Sequence, residues 1–119
     1  GYRLGLVTGS ARSVVDETLA PTGVASLFDA IITGDHVSRG KPHSEPYEKA
    51  ASLLGATASE CLVVENAPLG VQSAVAAGMT CVALETTVPA ARLPGARRVF
   101  RDAQALRAWL LSLWPEPVE

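Results

Sequence analysis

Apolar residues in this chain fall into short runs that stop abruptly at small or charged residues, separated by stretches of helical periodicity. Tyr2 to Val7 ends in Leu4-Gly5-Leu6-Val7 and is closed by Thr8-Gly9-Ser10. Such a continuous run predicts a strand covered on both faces, the habit of parallel sheets. Leu27 to Ile32, Cys61 to Val64 and Thr80 to Leu84 repeat the pattern, and Arg98-Val99-Phe100 predicts a shorter last strand. Between the first two runs, Val14, Val15 and Leu19 mark the inner face of a helix from Ala11 to about Ala20. Ser10 is its expected cap, and Pro21 and Gly23 end it. Tyr47, Ala50, Ala51 and Leu54 mark a second helix, with Ser44 as N-cap, Pro46 in the first turn and Gly55 as the stop. Val71, Ala74, Val75 and Gly78 stand at i, i+3, i+4 and i+7 of a third, which opens near Pro68 and runs to about Ala77. Asp102 is the expected cap of a final helix with Leu106, Trp109, Leu110 and Leu113 on its apolar face. Pro115 and Pro117 end it, leaving residues 115–119 as a frayed tail.

Strand and helix alternate throughout, which predicts an α/β fold with a Rossmann-like, doubly wound parallel sheet over residues 1–114. The 119 residues, 48% of them apolar, suffice for one soluble domain with a modest core. A formal charge of −2 gives no reason to expect nucleic acid or an anionic membrane as partner. No apolar run approaches the roughly 18 residues of a membrane span, and we expect no signal peptide. Cys61 and Cys81 lack CxxC spacing and read as reduced core thiols, which suits a cytoplasmic location.

The chemistry-bearing residues sit at strand ends or in the loops beyond them: Thr8-Gly9-Ser10, Lys41 and Glu65-Asn66. Right-handed crossovers bring such ends to one edge of a parallel sheet, where ligands bind. A hydroxyl, backbone N–H groups at a helix start and an ammonium make an anion cradle. A carboxylate with a carboxamide oxygen suits a hard divalent cation such as Mg2+. Each feature also has a structural alternative. Thr8 and Ser10 could only end a strand and cap a helix, Lys41 could be a solvated loop lysine, and Asn66 could be an N-cap. Glu65 is different, because a carboxylate directly after a buried strand needs a partner or solvent. A dinucleotide site fits poorly, since Thr8 to Ser13 holds one of the glycines of GxGxxG. His36 and His43 read as exposed loop residues rather than zinc ligands.

Three ordered segments resemble the haloacid dehalogenase-like (HAD) hydrolases, in particular their phosphatase and β-phosphoglucomutase branch. Leu6-Val7-Thr8-Gly9-Ser10 is similar to the second motif of that family, with Thr8 as the phosphate-binding hydroxyl. Gly40-Lys41-Pro42-His43-Ser44-Glu45-Pro46-Tyr47 is similar to the third, and Val63-Val64-Glu65-Asn66-Ala67-Pro68-Leu69-Gly70 to the fourth, the acidic metal-binding motif. The resemblance implies a phosphomonoester hydrolase working through an aspartyl-phosphate on a small phosphorylated metabolite. Thr8, Gly9 and Lys41 would hold the phosphate, with Lys41 and Thr8 catalytic, and Glu65 and Asn66 would bind Mg2+. It admits a phosphosugar mutase as alternative, or a non-catalytic domain that binds phosphate or a partner.

Two positions depart from the family. Asn66 stands where this branch commonly has a second acidic residue, bringing an oxygen but no charge. The nucleophilic Asp-x-Asp of the first motif does not occur; Asp16, Asp29, Asp35 and Asp102 are isolated. The resemblance therefore places the nucleophile, the first strand and the cap domain outside this chain, in an N-terminal segment of the same protein or in another chain. That strand would lie between the one ending at Thr8 and the one ending near Val64, so both are expected to expose an apolar edge.

Overall fold

A computed structural model of the chain describes residues 1–114; the expected tail, 115–119, lies outside the described residues. Five strands and four α-helices alternate: β1 (Gly5–Val7), α1 (Arg12–Leu19), β2 (Ala30–Ile32), α2 (Glu45–Leu54), β3 (Leu62–Glu65), α3 (Pro68–Ala76), β4 (Thr80–Leu84), β5 (Val99–Phe100) and α4 (Ala103–Leu113). Every strand pair is parallel. β1 pairs with β2, Gly5 opposite Ala30 and Val7 opposite Ile32. β4 lies between β3 and β5, with Leu62 opposite Thr80 and Leu84 opposite Phe100. The α/β class and the parallel, doubly wound arrangement are those predicted.

The ladder stops between β1 and β3, which are not hydrogen-bonded to each other. Helix α2 connects the two sheets by packing on β1, β2 and α3. On that face the core holds Tyr47, Ala51, Val63, Val71, Ala74, Met79, Cys81, Ala83 and Leu93. Val82, Phe100 and Leu106 form a second cluster on the opposite face, supported by Leu62, Leu84 and Trp109. Alternation along β4 sends Cys81 and Ala83 to one cluster and Val82 to the other, so this strand is buried on both sides.

Several expectations give way where a neighbour decides the outcome. The first strand is shorter than Tyr2 to Val7, because Tyr2 and Leu4 are exposed and only Gly5 to Val7 find partners in the ladder. Neither it nor β3 is fully covered. Val63 and Glu65 are buried, but Val64 is 42% exposed on the other face, where the second cluster takes in Leu62 and not Val64. Val14 and Val75 belong to the apolar stripes of α1 and α3 yet are exposed. Two caps also differ. Ser10 does not cap α1: the cap position is Ala11, and Asp35 Oδ2 accepts from Arg12 N at 3.0 Å instead. Ser44 occupies the cap position of α2 without a side-chain hydrogen bond, and the Glu45 N–H donates to His43 Nδ1.

Asp102 caps α4 as predicted, accepting from Ala105 N at 2.8 Å. Asp102→Ala should lower the stability measured by urea unfolding by about 1 kcal/mol, the usual contribution of such a cap. No helix among the described residues is long and apolar enough to cross a membrane.

Candidate active site

Glu65 is the last residue of β3, and its side chain turns into the molecule toward the first turn of α3. The carboxylate has only 7% of its surface exposed, and three donors meet it. Lys41 Nζ reaches Oε1 at 2.6 Å, the Tyr47 hydroxyl donates to the same oxygen, and the Asn66 N–H donates to Oε2 at 3.2 Å. Burying a carboxylate is costly unless it is paired and hydrogen-bonded, and here both conditions hold. Space for it comes from Gly70: a Cβ there would lie 2.1 Å from Glu65 Cδ and 2.2 Å from each carboxylate oxygen.

Lys41 is placed by a braced loop. The Glu45 carboxylate accepts from the Ser38 N–H at 2.9 Å and the Arg39 N–H at 2.8 Å, turning the backbone back toward α2. Those two bonds, Ser38 first, hold the Glu45 carboxyl below the usual carboxylate range. From α3, the buried Ser73 hydroxyl donates to the His43 carbonyl at 2.6 Å and ties down the far side of the loop. The ammonium then donates to the Val7 carbonyl at 3.2 Å as well as to Glu65. One cation thus joins the carboxyl ends of the two strands that are not paired with each other. Lys41 is no solvated loop lysine.

Thr8 follows directly on Val7, so the ammonium lies beside the first of the three predicted segments. The Thr8 N–H donates to the Ile32 carbonyl at 2.9 Å, extending the β1–β2 pairing, and its Oγ1 accepts from the Ser10 N–H at 3.1 Å. That bond uses the hydroxyl as acceptor and leaves its proton to donate. Gly9 is exposed, and its carbonyl packs against the turn at Gly34, where a Cβ would meet it at 2.5 Å. Gly34 in turn donates its N–H to the Ser10 carbonyl at 2.8 Å, locking the Thr8-Gly9-Ser10 turn to the loop after β2.

Asn66 is not a helix cap; that position belongs to Ala67, which makes no side-chain bond. Its Nδ2 donates to Thr87 Oγ1 at 3.1 Å, which orients the amide and leaves Oδ1 free of any donor among the described residues. Glu65 and Asn66 therefore offer hard oxygens of the kind a divalent cation takes. They do not complete a site by themselves, since no group of three His, Cys, Asp or Glu side chains gathers among the described residues.

The structure joins Lys41 to Glu65 and to the carbonyl of Val7, the residue before Thr8, and sets Asn66 beside Glu65. Sequence reasoning gave Tyr47 no role, placing it on the apolar face of a helix and at the end of the segment similar to the third motif. Burial, and then the neighbouring Glu65 carboxylate, push its phenol far above the ordinary value, so it stays a donor. A buried tyrosine hydroxyl needs a partner, and six residues after Lys41 that was the available signal. The same two causes push the Cys81 thiol up to about 11, which leaves it protonated and unreactive. A cavity of about 560 Å3 lies instead where β3 and β4 begin, lined by Cys61, Thr80, Arg97, Arg98 and Trp109 among others. It includes none of the site residues.

The sequence matches the family model of the haloacid dehalogenase-like hydrolases over residues 1–84. It is 39% identical over 112 residues to the validoxylamine A 7'-phosphate phosphatase of Streptomyces hygroscopicus subsp. limoneus, covering 94% of this chain and 50% of that protein. Among solved structures, a HAD family hydrolase from Deinococcus radiodurans with bound phosphate and sodium superposes with a TM-score of 0.79 at 32% identity, over 92% of this chain and 51% of that one. A putative β-phosphoglucomutase from Thermotoga maritima shares the fold, with a TM-score of 0.83 at 24% identity over 91% of this chain and 52% of that one. The chain thus spans about half the length of each of these proteins. Its sequence and its parallel fold make it a member of the haloacid dehalogenase-like hydrolases.

Proposed function

We propose that this chain supplies the phosphate- and Mg2+-binding part of a phosphomonoester hydrolase acting on a small phosphorylated metabolite, with the nucleophilic aspartate outside the chain. The observation that carries this reading is Lys41, whose ammonium spans Val7 and Glu65 at the ends of β1 and β3. A strand inserted between these two would end beside that ammonium. The exposed Val64 and the open edges of β1 and β3 favour such an insertion.

In the complete site the aspartate carboxylate attacks phosphorus. A P–O bond forms to it as the ester P–O bond breaks, and the leaving oxygen takes a proton from an acid outside this chain. Water then attacks the aspartyl-phosphate and releases phosphate. Lys41 offsets charge on the nucleophile and the phosphoryl oxygens, while the Thr8 hydroxyl and Gly9 N–H hydrogen-bond those oxygens. Positioning and charge stabilisation of this kind account for most of the catalysis in phosphoryl transfer. Glu65 and Asn66 would hold Mg2+, which supplies neutralisation of phosphoryl charge when bound. A phosphosugar mutase would use the same residues and return the phosphoryl group to a sugar. A hexose-phosphate isomerisation assay separates the two.

Phosphate release with and without Mg2+ tests the proposal, first on the chain alone and then on the chain joined to the segment bearing the aspartate. We expect turnover only in the second case, abolished by chelation. Equal turnover by a homogeneous chain of this length, verified by intact mass, would remove the missing-nucleophile reading. Thr8→Ala should lower kcat/KM by roughly 10- to 100-fold, the worth of a hydrogen bond to a charged group, with Thr8→Ser close to the parent.

A further inference from the structure

Glu65 Oε1 receives both the Lys41 ammonium and the Tyr47 hydroxyl, whereas Oε2 receives a single backbone N–H. The same Tyr47 ring lies 5.3 Å from Lys41 Nζ, within the range of a cation–π contact. Tyr47 therefore touches both members of the ion pair. It is itself fixed on the buried face of α2, among Ala51, Val63 and Val71. An ammonium on a long flexible stem has three N–H groups, and two are taken by Glu65 and the Val7 carbonyl. The direction of the third is set by those two, and the direction of the Glu65 bond depends on the carboxylate rotamer. Tyr47 and Asn66 hold that rotamer from opposite oxygens.

We propose that Tyr47 is a positioning residue for Lys41: its hydroxyl locks the Glu65 carboxylate and its ring supports the ammonium, leaving one Lys41 N–H directed at the phosphoryl oxygens. This rests on the phosphoryl-transfer reading of the site. A tyrosine that only filled the core would be replaceable by phenylalanine, which keeps the ring and the volume.

The test is Tyr47→Phe in the complete, active protein, with two readouts. Steady-state phosphate release should show kcat lowered about tenfold and KM changed by less than about twofold, because the ammonium is still present but no longer aligned. The second readout does not depend on catalysis. With 15N-lysine labelling, the ammonium signal that disappears in Lys41→Met is the Lys41 signal. Its protons should be protected from solvent exchange in the parent protein and exchange at least several-fold faster in Tyr47→Phe. Unchanged exchange, or an unchanged kcat, overturns the positioning role. If instead Lys41→Met itself leaves phosphate release intact, the phosphoryl-transfer reading fails and the positioning role falls with it. Should Tyr47→Phe not fold, fluorotyrosine at position 47 replaces it as probe. Its 19F resonance should move on Lys41→Met, and a stationary resonance overturns the proposal.

Discussion

Gly70→Ala is expected to remove phosphate release and to destabilise the fold by about 2–4 kcal/mol, the combined range for overpacking and for disrupting a buried ion pair. The sign is the informative part. Gly70 lies inside α3 and is not among the glycines with positive φ, so its backbone conformation suits alanine. At an ordinary helical position such a change stabilises by roughly 0.5–1 kcal/mol. Here the new Cβ would fall 2.1 Å from Glu65 Cδ, far inside contact distance. The carboxylate has no easy retreat, because Lys41, Tyr47 and the Asn66 N–H hold it from both oxygens. Either Glu65 swings out and leaves Lys41, or the first turn of α3 shifts and carries Asn66 with it. Both outcomes dismantle the site. Urea unfolding and phosphate release measure the two effects, and a variant matching the parent in both would mean that Glu65 does not pack against α3 at Gly70. Gly78→Ala is a useful contrast: it is strained by a φ of 78° yet its Cβ would meet nothing closer than 3.7 Å. It should cost stability and spare activity.

Much of this arrangement was legible in the chain, and most of the exceptions depend on parts of the fold far away in sequence. Strand β4 runs over Thr80–Leu84 as the apolar run marks it, and α4 starts after Asp102 as its cap requires. These are local signals, set by periodicity and by one side chain bonding a few residues away. Ser10 failed as a cap because a competitor came from elsewhere in the fold, Asp35 from the loop after β2, whereas Ser44 lost to its own neighbour, His43, which takes the Glu45 N–H. Val64 and Val14 are apolar but exposed, since hydrophobicity reports what a residue would bury and not whether a neighbour is there to bury it. Thr8, Lys41 and Glu65 could be singled out because a parallel sheet sends strand ends to one edge. For Tyr47 the chain signals only that its hydroxyl needs a partner; that the partner is Glu65 depends on the roll of α2 against β3.

Lys41→Met is expected to cost on the order of 100- to 1,000-fold in kcat, the loss seen when a charge-stabilising donor is removed from a reacting centre. It should also destabilise the protein by about 2–3 kcal/mol. Removing one partner from a buried pair costs about 3–5 kcal/mol, and the lower figure follows because the Lys41 side chain is 19% exposed against 7% for Glu65. Water admitted at the vacated position can reach the carboxylate in part. The two losses have different origins and separate in a double variant. Glu65→Gln added to Lys41→Met takes away the uncompensated charge while keeping an acceptor for the Tyr47 hydroxyl, so stability should recover by about 1–2 kcal/mol relative to Lys41→Met alone. Activity should not recover, because the cation that faces the phosphoryl group is still missing. Thermal and urea unfolding of the four proteins in the cycle, beside their phosphate release, give the coupling directly. If the double variant were no more stable than Lys41→Met, the pair would not be the reason for burying Glu65. If Lys41→Met retained activity, Lys41 would be a structural clamp between β1 and β3 and nothing more.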